Sequence, residues 1–243
     1  MASEAPEPAP QVIWARPIRG ARGPRPAHDR DDITAAAIRL ADAEGIEAVS
    51  IRRVAADIGA APSALYRYLN AKSELFELMM DAVAGEQQPP EHSGDWRTDL
   101  RASAEHMRAT ALRHPWLPAL ATGQVTLGPN MLRWMEFASG VFAGYPLSAD
   151  ETLLNMNTLT AFVAGHTIQE IAEAQTARQT GMTHEKWLAA QGAYGESIIT
   201  GGQYPNLARI MIEAQAPHAG DRLDRAFRLG LERILDGIAT SLR

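Results

Sequence analysis

Cysteine is absent from the 243 residues. That excludes a disulfide framework and every thiolate-ligated metal site. Long apolar runs are missing as well. No stretch approaches the roughly 18 consecutive apolar residues that a membrane-spanning helix needs, so no membrane partner is expected. The first 15 residues hold Glu4, Glu7 and three prolines but no apolar h-region. No secretory signal is therefore expected, and the cytoplasm is the expected compartment. Lysine is nearly absent, with only Lys72 and Lys186, so arginine carries the positive charge. None of the motifs H-E-x-x-H, G-x-S-x-G, G-x-x-x-x-G-K-[ST] or G-x-G-x-x-G occurs. His28-Asp29 and His184-Glu185 are isolated pairs without a third partner at useful spacing. No enzyme, no cofactor and no metal site is expected.

Apolar residues make up 46% and charged residues 21%, enough for a buried core. The net charge of −6 argues against a protein that coats nucleic acid without selectivity. Its distribution is uneven. Residues 11–72 hold ten Arg or Lys against seven Asp or Glu, a local +3, while residues 73–243 hold 13 against 20, a local −7. Only the N-terminal part is electrostatically suited to phosphates.

Within it, Ser50 to Lys72 reads S-I-R-R-V-A-A-D-I-G-A-A-P-S-A-L-Y-R-Y-L-N-A-K. Ile51, Val54, Ala55 and Ile58 recur at the spacing of one helical face. Ser50 can cap that helix. Gly59 stands where a helix stop wants positive φ. Pro62 fits the first turn of a second, short helix, where its missing N–H would be unpaired anyway. Leu65 and Leu69 are expected to face inward, with Ser63, Ala64, Arg67 and both tyrosines, Tyr66 and Tyr68, outward. Helix, glycine turn, helix is the helix-turn-helix arrangement, which places its second helix in a DNA major groove.

A preceding helix over about 31–44 is expected, capped by Asp31 or Asp32 and stopped at Gly45, and a following one over about 71–85, capped by Asn70. Residues 1–28 are expected to be a disordered or DNA-arm segment. Arg16, Arg19, Arg22 and Arg25 recur there every third residue, and such an arm, Arg22 and Arg25 above all, could reach a minor groove beside the helix-turn-helix. Residues 86–95 break the pattern as a linker. Beyond it the periodicity predicts helices over about 95–113, 130–143, 149–177 and 220–242. Residues 178–220 offer only short pieces, at 186–190 and about 204–215. No strand-like alternation occurs. The expected fold is all-α: an N-terminal three-helix helix-turn-helix domain over 29–86, with its fourth helix, and a larger helical domain over 95–243.

The order I-x-x-A-x-x-L-x-x-x-x-G-(x)3-V-S-I-R-R-V-A-A-D-I-G-A-A-P-S-A-L-Y-R-Y-L-N-A-K-S-E-L resembles the DNA-binding domain of the tetracycline-repressor (TetR) family, over about Ile33 to Val83. The pieces R-H-P-W-L, V-T-L-G-P and F-V-A-G-H-T-I-Q-E resemble, more weakly, its C-terminal domain. The resemblance implies a bacterial regulator that binds double-stranded operator DNA as a homodimer and responds to a small-molecule effector, most often as a repressor. It implies base contacts from Arg52, Pro62, Ser63 and Ala64, and phosphate contacts from Ser50, Tyr66, Tyr68 and Lys72. Pro62 and Ala64 cannot form bidentate base hydrogen bonds. Arg52 and Arg67 are then the side chains able to read guanine. The resemblance also implies dimerisation through the helices near 149–177 and 220–242, where Ala161, Ala164 and Gly165 allow close approach. A family histidine in V-x-L-G that helps hold drug-bound magnesium is matched here by Thr126, so tetracycline–magnesium is not the expected ligand.

Bulky apolar residues between 116 and 170, beside helices broken by Gly and Pro, suit a pocket for an apolar or amphipathic effector. Candidate lining residues are His114, Trp116, Trp134, Met135, Asn157, Phe162, His166 and Gln169. The competing reading is a helical dimeric adaptor, or a small-molecule-binding protein, without DNA binding. Such a protein would not need Tyr66, Arg67, Tyr68 and Lys72 where they stand.

Overall fold

A computed structural model describes residues 12–16, 28–120, 127–215 and 219–242. Every regular element among them is a helix. The order is a 3-10 turn Ile13–Ala15, α1 Arg30–Glu44, a 3-10 turn Ile46–Ala48, α2 Ile51–Asp57, α3 Pro62–Leu65, α4 Lys72–Ala84, α5 Trp96–Arg113, α6 Leu117–Leu120, α7 Pro129–Gly140, α8 Ala149–Thr180, α9 His184–Thr200, α10 Pro205–Glu213 and α11 Arg222–Ser241. The chain divides into two compact units. The first holds Met1–Glu91 and Arg113–Phe137, the second His92–Leu112 and Ala138–Arg243.

Local chemistry sets the ends of the first helices. Asp29, not Asp31 or Asp32, caps α1: its Oδ1 accepts from the Asp32 N–H at 2.9 Å, and the Asp32 carboxylate accepts in return from the Asp29 N–H at 3.1 Å. This reciprocal box satisfies two donors that a helix start leaves open. Gly45 stops α1 at φ 89°. Ser50 caps α2 through the Arg53 N–H at 3.2 Å. Gly59 makes the turn at φ 68°, a region that side chains with a Cβ avoid. Pro62 is the first residue of α3. Asn70 does not cap α4. Ala71 holds the cap position, and the Asn70 N–H donates instead to Glu74 Oε2 at 2.7 Å. Ile33, Ala37, Val49, Val54, Leu65, Leu69, Leu75 and Met79 form the core between these helices.

Two segments join this core from outside the expected 29–86 boundary. Ile13 is fully buried in it, so residues 12–16 are folded rather than part of an open tail. Trp116 is buried there too, with Nε1 donating to Asp42 Oδ1 at 2.6 Å. The adjoining His114 lies with Nδ1 2.8 Å from Asp42 Oδ1 and Nε2 3.0 Å from Glu86 Oε1. Trp134 donates from Nε1 to the Ala84 carbonyl at 2.9 Å. These polar partners sit on α1 and at the end of α4, and they draw residues 113–137 into the first unit.

The start of α7 has its cap supplied by α4. The buried Asp81 carboxylate accepts from the Asn130 N–H at 3.0 Å, the Met131 N–H at 2.9 Å and Asn130 Nδ2 at 3.0 Å. A carboxylate at a helix N-terminus also meets the positive end of the helix dipole.

In the second unit, α8 starts with a Ser148–Glu151 capping box and ends at Gly181, φ 69°. Leu159, Val163 and Ile171 of α8 and Phe227, Leu231, Leu235 and Ile238 of α11 are the buried apolar residues of these two packed helices. Helix α5 is tied to α8 and α11 by charge. Arg97 reaches Glu232 at 3.0 Å and Asp236 at 2.6 Å, and Arg101 reaches Glu232 at 2.7 Å. Arg108 forks onto Glu170 at 2.6 and 3.1 Å, and meets Asp224 at 2.8 Å. The hydrogen bond to Glu170 raises the Arg108 pKa further. Residues 178–220 hold more helix than their sequence pattern predicts. Thr183 caps a 17-residue α9, which packs on α10.

The Asp81 joint leaves no room at Gly128, where an added Cβ would stand 2.2 Å from Asp81 Oδ1. Gly128→Ala is expected to destabilise the chain by about 1–3 kcal/mol. At Gly192, inside α9, a Cβ meets nothing within 4 Å, and Gly192→Ala is expected to be neutral or to stabilise by about 0.5–1 kcal/mol. Denaturant unfolding of the two variants checks the contrast, and equal losses would refute it.

Candidate nucleic-acid interface

The reading unit is small. Helix α3 spans only Pro62–Leu65, and the chain turns at Tyr66–Leu69 before α4 begins at Lys72. Two core anchors hold it, Leu65 and Leu69, both essentially without exposure.

The structure exposes Arg52, Pro62, Ser63, Tyr66, Arg67 and Lys72, with Ala64 partly exposed. Arg52 has no hydrogen bond or ion pair among the described residues. Its neighbour Arg53 is committed to Glu44, with two hydrogen bonds at 2.8 and 2.7 Å. That pairing holds the Glu44 carboxyl below its usual range. Of the two consecutive arginines, only Arg52 remains available to a ligand. Arg67 Nε lies 3.5 Å from the Ala64 carbonyl, a weak tie that leaves its guanidinium outward. Lys72 opens α4 with Nζ 4.8 Å from the centre of the Phe76 ring. There the free N–H groups of a helix start add to the ammonium charge. Ser50 uses its oxygen as acceptor for α2, which leaves its O–H free to donate to an oxyanion.

Tyr68 departs from the expectation. It is buried in the core, and its hydroxyl donates to the His28 carbonyl at 2.9 Å. The reason is spacing: Tyr68 and Leu69 follow Leu65 by three and four residues, and their N–H groups both donate to the Leu65 carbonyl, so the three side chains share one buried face. Arg19, Arg22 and Arg25 lie outside the described residues. Arg16, first of that arginine series, is described, and it pairs with Glu74 in a half-buried setting.

The candidate effector residues separate. His114, Trp116, Trp134 and Met135 belong to the first unit, Asn157, Phe162, His166 and Gln169 to the second. His114 and Trp116 are spent on Asp42 and Glu86, as core residues rather than pocket lining. Asn157 and Gln169 are exposed. Phe162 and His166 stack at 6.0 Å, each also beside Phe227. His166 Nε2 lies 2.9 Å from the Leu223 carbonyl and 3.2 Å from Glu170 Oε1. Thr126 lies outside the described residues. Among the described residues, no group of His, Asp and Glu could hold a metal ion and no helix is long and apolar enough to cross a membrane.

One residue was missed in the sequence. Ser103 of α5 is 5% exposed, and its Oγ has no hydrogen-bond partner among the described residues. Buried hydroxyls are nearly always paired, so this one is open to a ligand or a water. A small polar residue beside the apolar positions Leu100, Ala104 and Met107 was the available signal.

Comparison with known proteins agrees with this arrangement. Residues 33–79 match the family described as bacterial regulatory proteins, tetR family. Residues 88–242 match the tetracyclin repressor-like C-terminal domain. The chain is 33% identical over 230 residues to the HTH-type transcriptional repressor DrrR1 of Streptomyces coeruleorubidus, covering 94% of this chain and 83% of that protein. It superposes on the crystal structure of the TetR family protein ActR of Streptomyces coelicolor in complex with (S)-DNPA with a TM-score of 0.71, at 26% identity, over 90% of this chain and 100% of that one. For ActR in complex with actinorhodin the TM-score is 0.74, at 24% identity, over 90% and 98% of the two chains. The chain belongs to the tetR family of bacterial regulatory proteins, and is a helix-turn-helix transcription regulator.

Proposed function

We propose that the chain is a homodimeric repressor that holds a pseudo-palindromic operator and lets go when a small molecule binds the second unit. The observation that carries the DNA contact is the exposed set Arg52, Arg67 and Lys72 around a capped helix-turn-helix. In this reading Arg52, Pro62, Ser63, Ala64 and Arg67 face bases, and Ser50, Tyr66 and Lys72 face phosphates. Tyr68 supports the fold instead. Two copies set their reading helices about 34–36 Å apart, one turn of B-DNA.

The dimer reading is supported by α8, which is apolar on two sides. Opposite its buried residues, it exposes Leu154, Ala161, Gly165 and Ile168, and α11 exposes Leu229 and Gly237. Small residues among these let two backbones approach closely. The effector reading is supported by Ser103 and by the Phe162, His166 and Phe227 rings. ActR, a relative by fold and sequence, is crystallised with actinorhodin and with (S)-DNPA. An apolar or amphipathic molecule with a polar group to pair with Ser103 fits these features. Such a molecule releases DNA by binding better to a conformation whose half-site spacing is wrong for the operator.

Gel shift on the DNA upstream of the chain's own gene and its neighbours tests the regulator reading, and no shift at low salt would favour an adaptor. On a bound operator, Arg52→Ala is expected to relax preference at one base pair per half-site, by about 1–3 kcal/mol. Lys72→Ala is expected to leave preference intact and to lower the slope of log affinity against log salt by roughly one unit. A uniform loss across sequences for Arg52→Ala would remove it from the base-reading set.

Ser103→Ala deletes an unpaired buried hydroxyl. The ligand-free variant is therefore expected to melt no lower than wild type, while its response to an effector such as actinorhodin weakens. A variant that melts lower and still releases normally would remove Ser103 from the site.

A further inference from the structure

Residues 12–16 and 28–30 meet the reading unit at its C-terminal side, and this contact has a consequence for DNA binding. Helix α3 is four residues long. Tyr66 and Arg67 lie beyond it, and Lys72 stands across a further turn. Lys72 is held by α4, which it opens, whereas Tyr66 and Arg67 stand on a short run of turn bonds, from the Arg67 N–H to the Ala64 carbonyl at 3.3 Å and from the Tyr68 and Leu69 N–H groups to the Leu65 carbonyl at 2.9 and 3.0 Å, far below the length at which a helix supports itself. Their placement rests on what grips residues 66–71. Leu65 and Leu69 supply apolar anchorage. One polar grip comes directly from the N-terminal segment and the other from Glu74 of α4, which that segment holds. The Tyr68 hydroxyl donates to the His28 carbonyl at 2.9 Å. Glu74 Oε2 accepts the Asn70 N–H at 2.7 Å, and the same oxygen receives the Arg16 guanidinium.

Arg16 is itself held in place. Ile13, three residues earlier, is fully buried, and its carbonyl accepts from Arg30 Nη1 at 3.2 Å. The side chains of Arg16 and Glu74 are 18% and 14% exposed, so the pair is shielded from most solvent screening.

We propose that residues 12–16 act as a strap, and that Arg16, through Glu74, is a positioning residue for operator binding: it fixes the Asn70 turn and so how Tyr66 and Arg67 stand relative to Lys72 at the start of α4. Arg16 touches no DNA in this arrangement. The proposal rests on the operator-binding reading and adds to it a segment outside the helix-turn-helix.

The test compares full-length wild type with Arg16→Ala, Arg16→Lys, Glu74→Gln, Glu74→Ala and Tyr68→Phe. Two measurements are made on each: operator affinity across a salt series, and amide hydrogen exchange at residues 68–71 without DNA. Arg16→Ala and Glu74→Gln are expected to weaken operator binding on the order of three- to tenfold, the range for losing one partly buried charged hydrogen bond. The salt slope stays at its wild-type value, because no phosphate contact is lost. Glu74→Ala weakens binding more, since it also frees the Asn70 N–H, and exchange at Asn70 accelerates in step. Arg16→Lys recovers part of the affinity. Tyr68→Phe weakens binding with the slope unchanged.

A drop of about one unit in salt slope for Arg16→Ala would overturn the proposal by making Arg16 a phosphate contact. So would wild-type affinity in a variant whose Asn70 exchange has quickened. If the wild-type chain binds no operator, the strap and the functional reading fall together. If wild type binds and Arg16→Ala binds equally well, only the strap falls.

Discussion

A helix of four residues cannot hold its own shape in water, and α3 is such a helix. Much of the first unit is arranged around that deficit. Ser50 and Gly59 fix the helix before it and the turn into it. Pro62 sets its first φ at no entropic cost to the folded state. Leu65 and Leu69 pin it from beneath, and Tyr68 and Asn70 pin its exit. Helix α4, which begins directly after, is tied along its length. Glu74 receives Arg16, Asp81 caps α7, the Ala84 carbonyl accepts from Trp134, and Glu86 just past its end meets Arg113 and His114. A reading element too short to stand alone is thus held by a helix fastened at four levels.

The second unit is built on another principle. Helices α8 and α11 share an apolar seam, but α5 joins them chiefly through guanidinium–carboxylate forks. Arg97, Arg101 and Arg108 stand on one side, Glu170, Asp224, Glu232 and Asp236 on the other. Directional bonds of this kind specify register where apolar contacts alone would let helices slide. The Arg101 and Arg108 bonds hold Glu232 and Asp224 below their usual carboxylate ranges. The stability they add is present above the unfolded-state carboxylate pKa and is lost as pH falls through the depressed ones. The Asp224 side chain is 45% exposed, so its share is partly screened, whereas the Arg108–Glu170 fork is largely buried against the Phe227 ring.

The features legible in the sequence were those fixed by neighbours within a few residues. Ser50, Gly59 and Pro62 act on the backbone beside them, and the apolar stripe of α11 repeats over five turns. Several of the misreadings turn on a partner far away in the chain. Tyr68 shares the buried face of Leu65 and Leu69, where its hydroxyl is met by the His28 carbonyl, 40 residues earlier. His114 and Trp116 read as pocket lining until Asp42, more than 70 residues earlier, takes a hydrogen bond from one and lies against the other. Asn70 has the chemistry of a cap, yet Glu74 already serves its amide. Residues 178–200 hid a helix because Gly192 and Gly195 interrupt its apolar face, and Gly195 is where the Met211 methyl of α10 approaches to within 3.1 Å of a would-be Cβ. Ser103 showed only as a polar letter on an apolar face, and its lack of a partner is a property of the folded bundle.

The charge pairing on the first unit limits how the proposed complex selects its operator. Of the basic side chains near the reading unit, Arg39 is paired to Asp57, Arg53 to Glu44 and Arg16 to Glu74. Among the described residues Arg52 and Arg67 remain, two guanidinium groups per half-site. Each can distinguish one guanine by about 1–3 kcal/mol. Two such contacts per half-site, doubled by a twofold axis, give four discriminating contacts. At about 1–3 kcal/mol each, four such contacts span the 10³- to 10⁷-fold ratios usual for specific binding, about 4–10 kcal/mol, and reach the upper end only when every one is well made. Ala64 and Pro62 can add apolar contact with thymine methyls but no hydrogen bonds. The fixed distance between two half-sites, and the ease with which the intervening DNA adopts it, add to this readout. A protein that selects by spacing is released by any change in spacing.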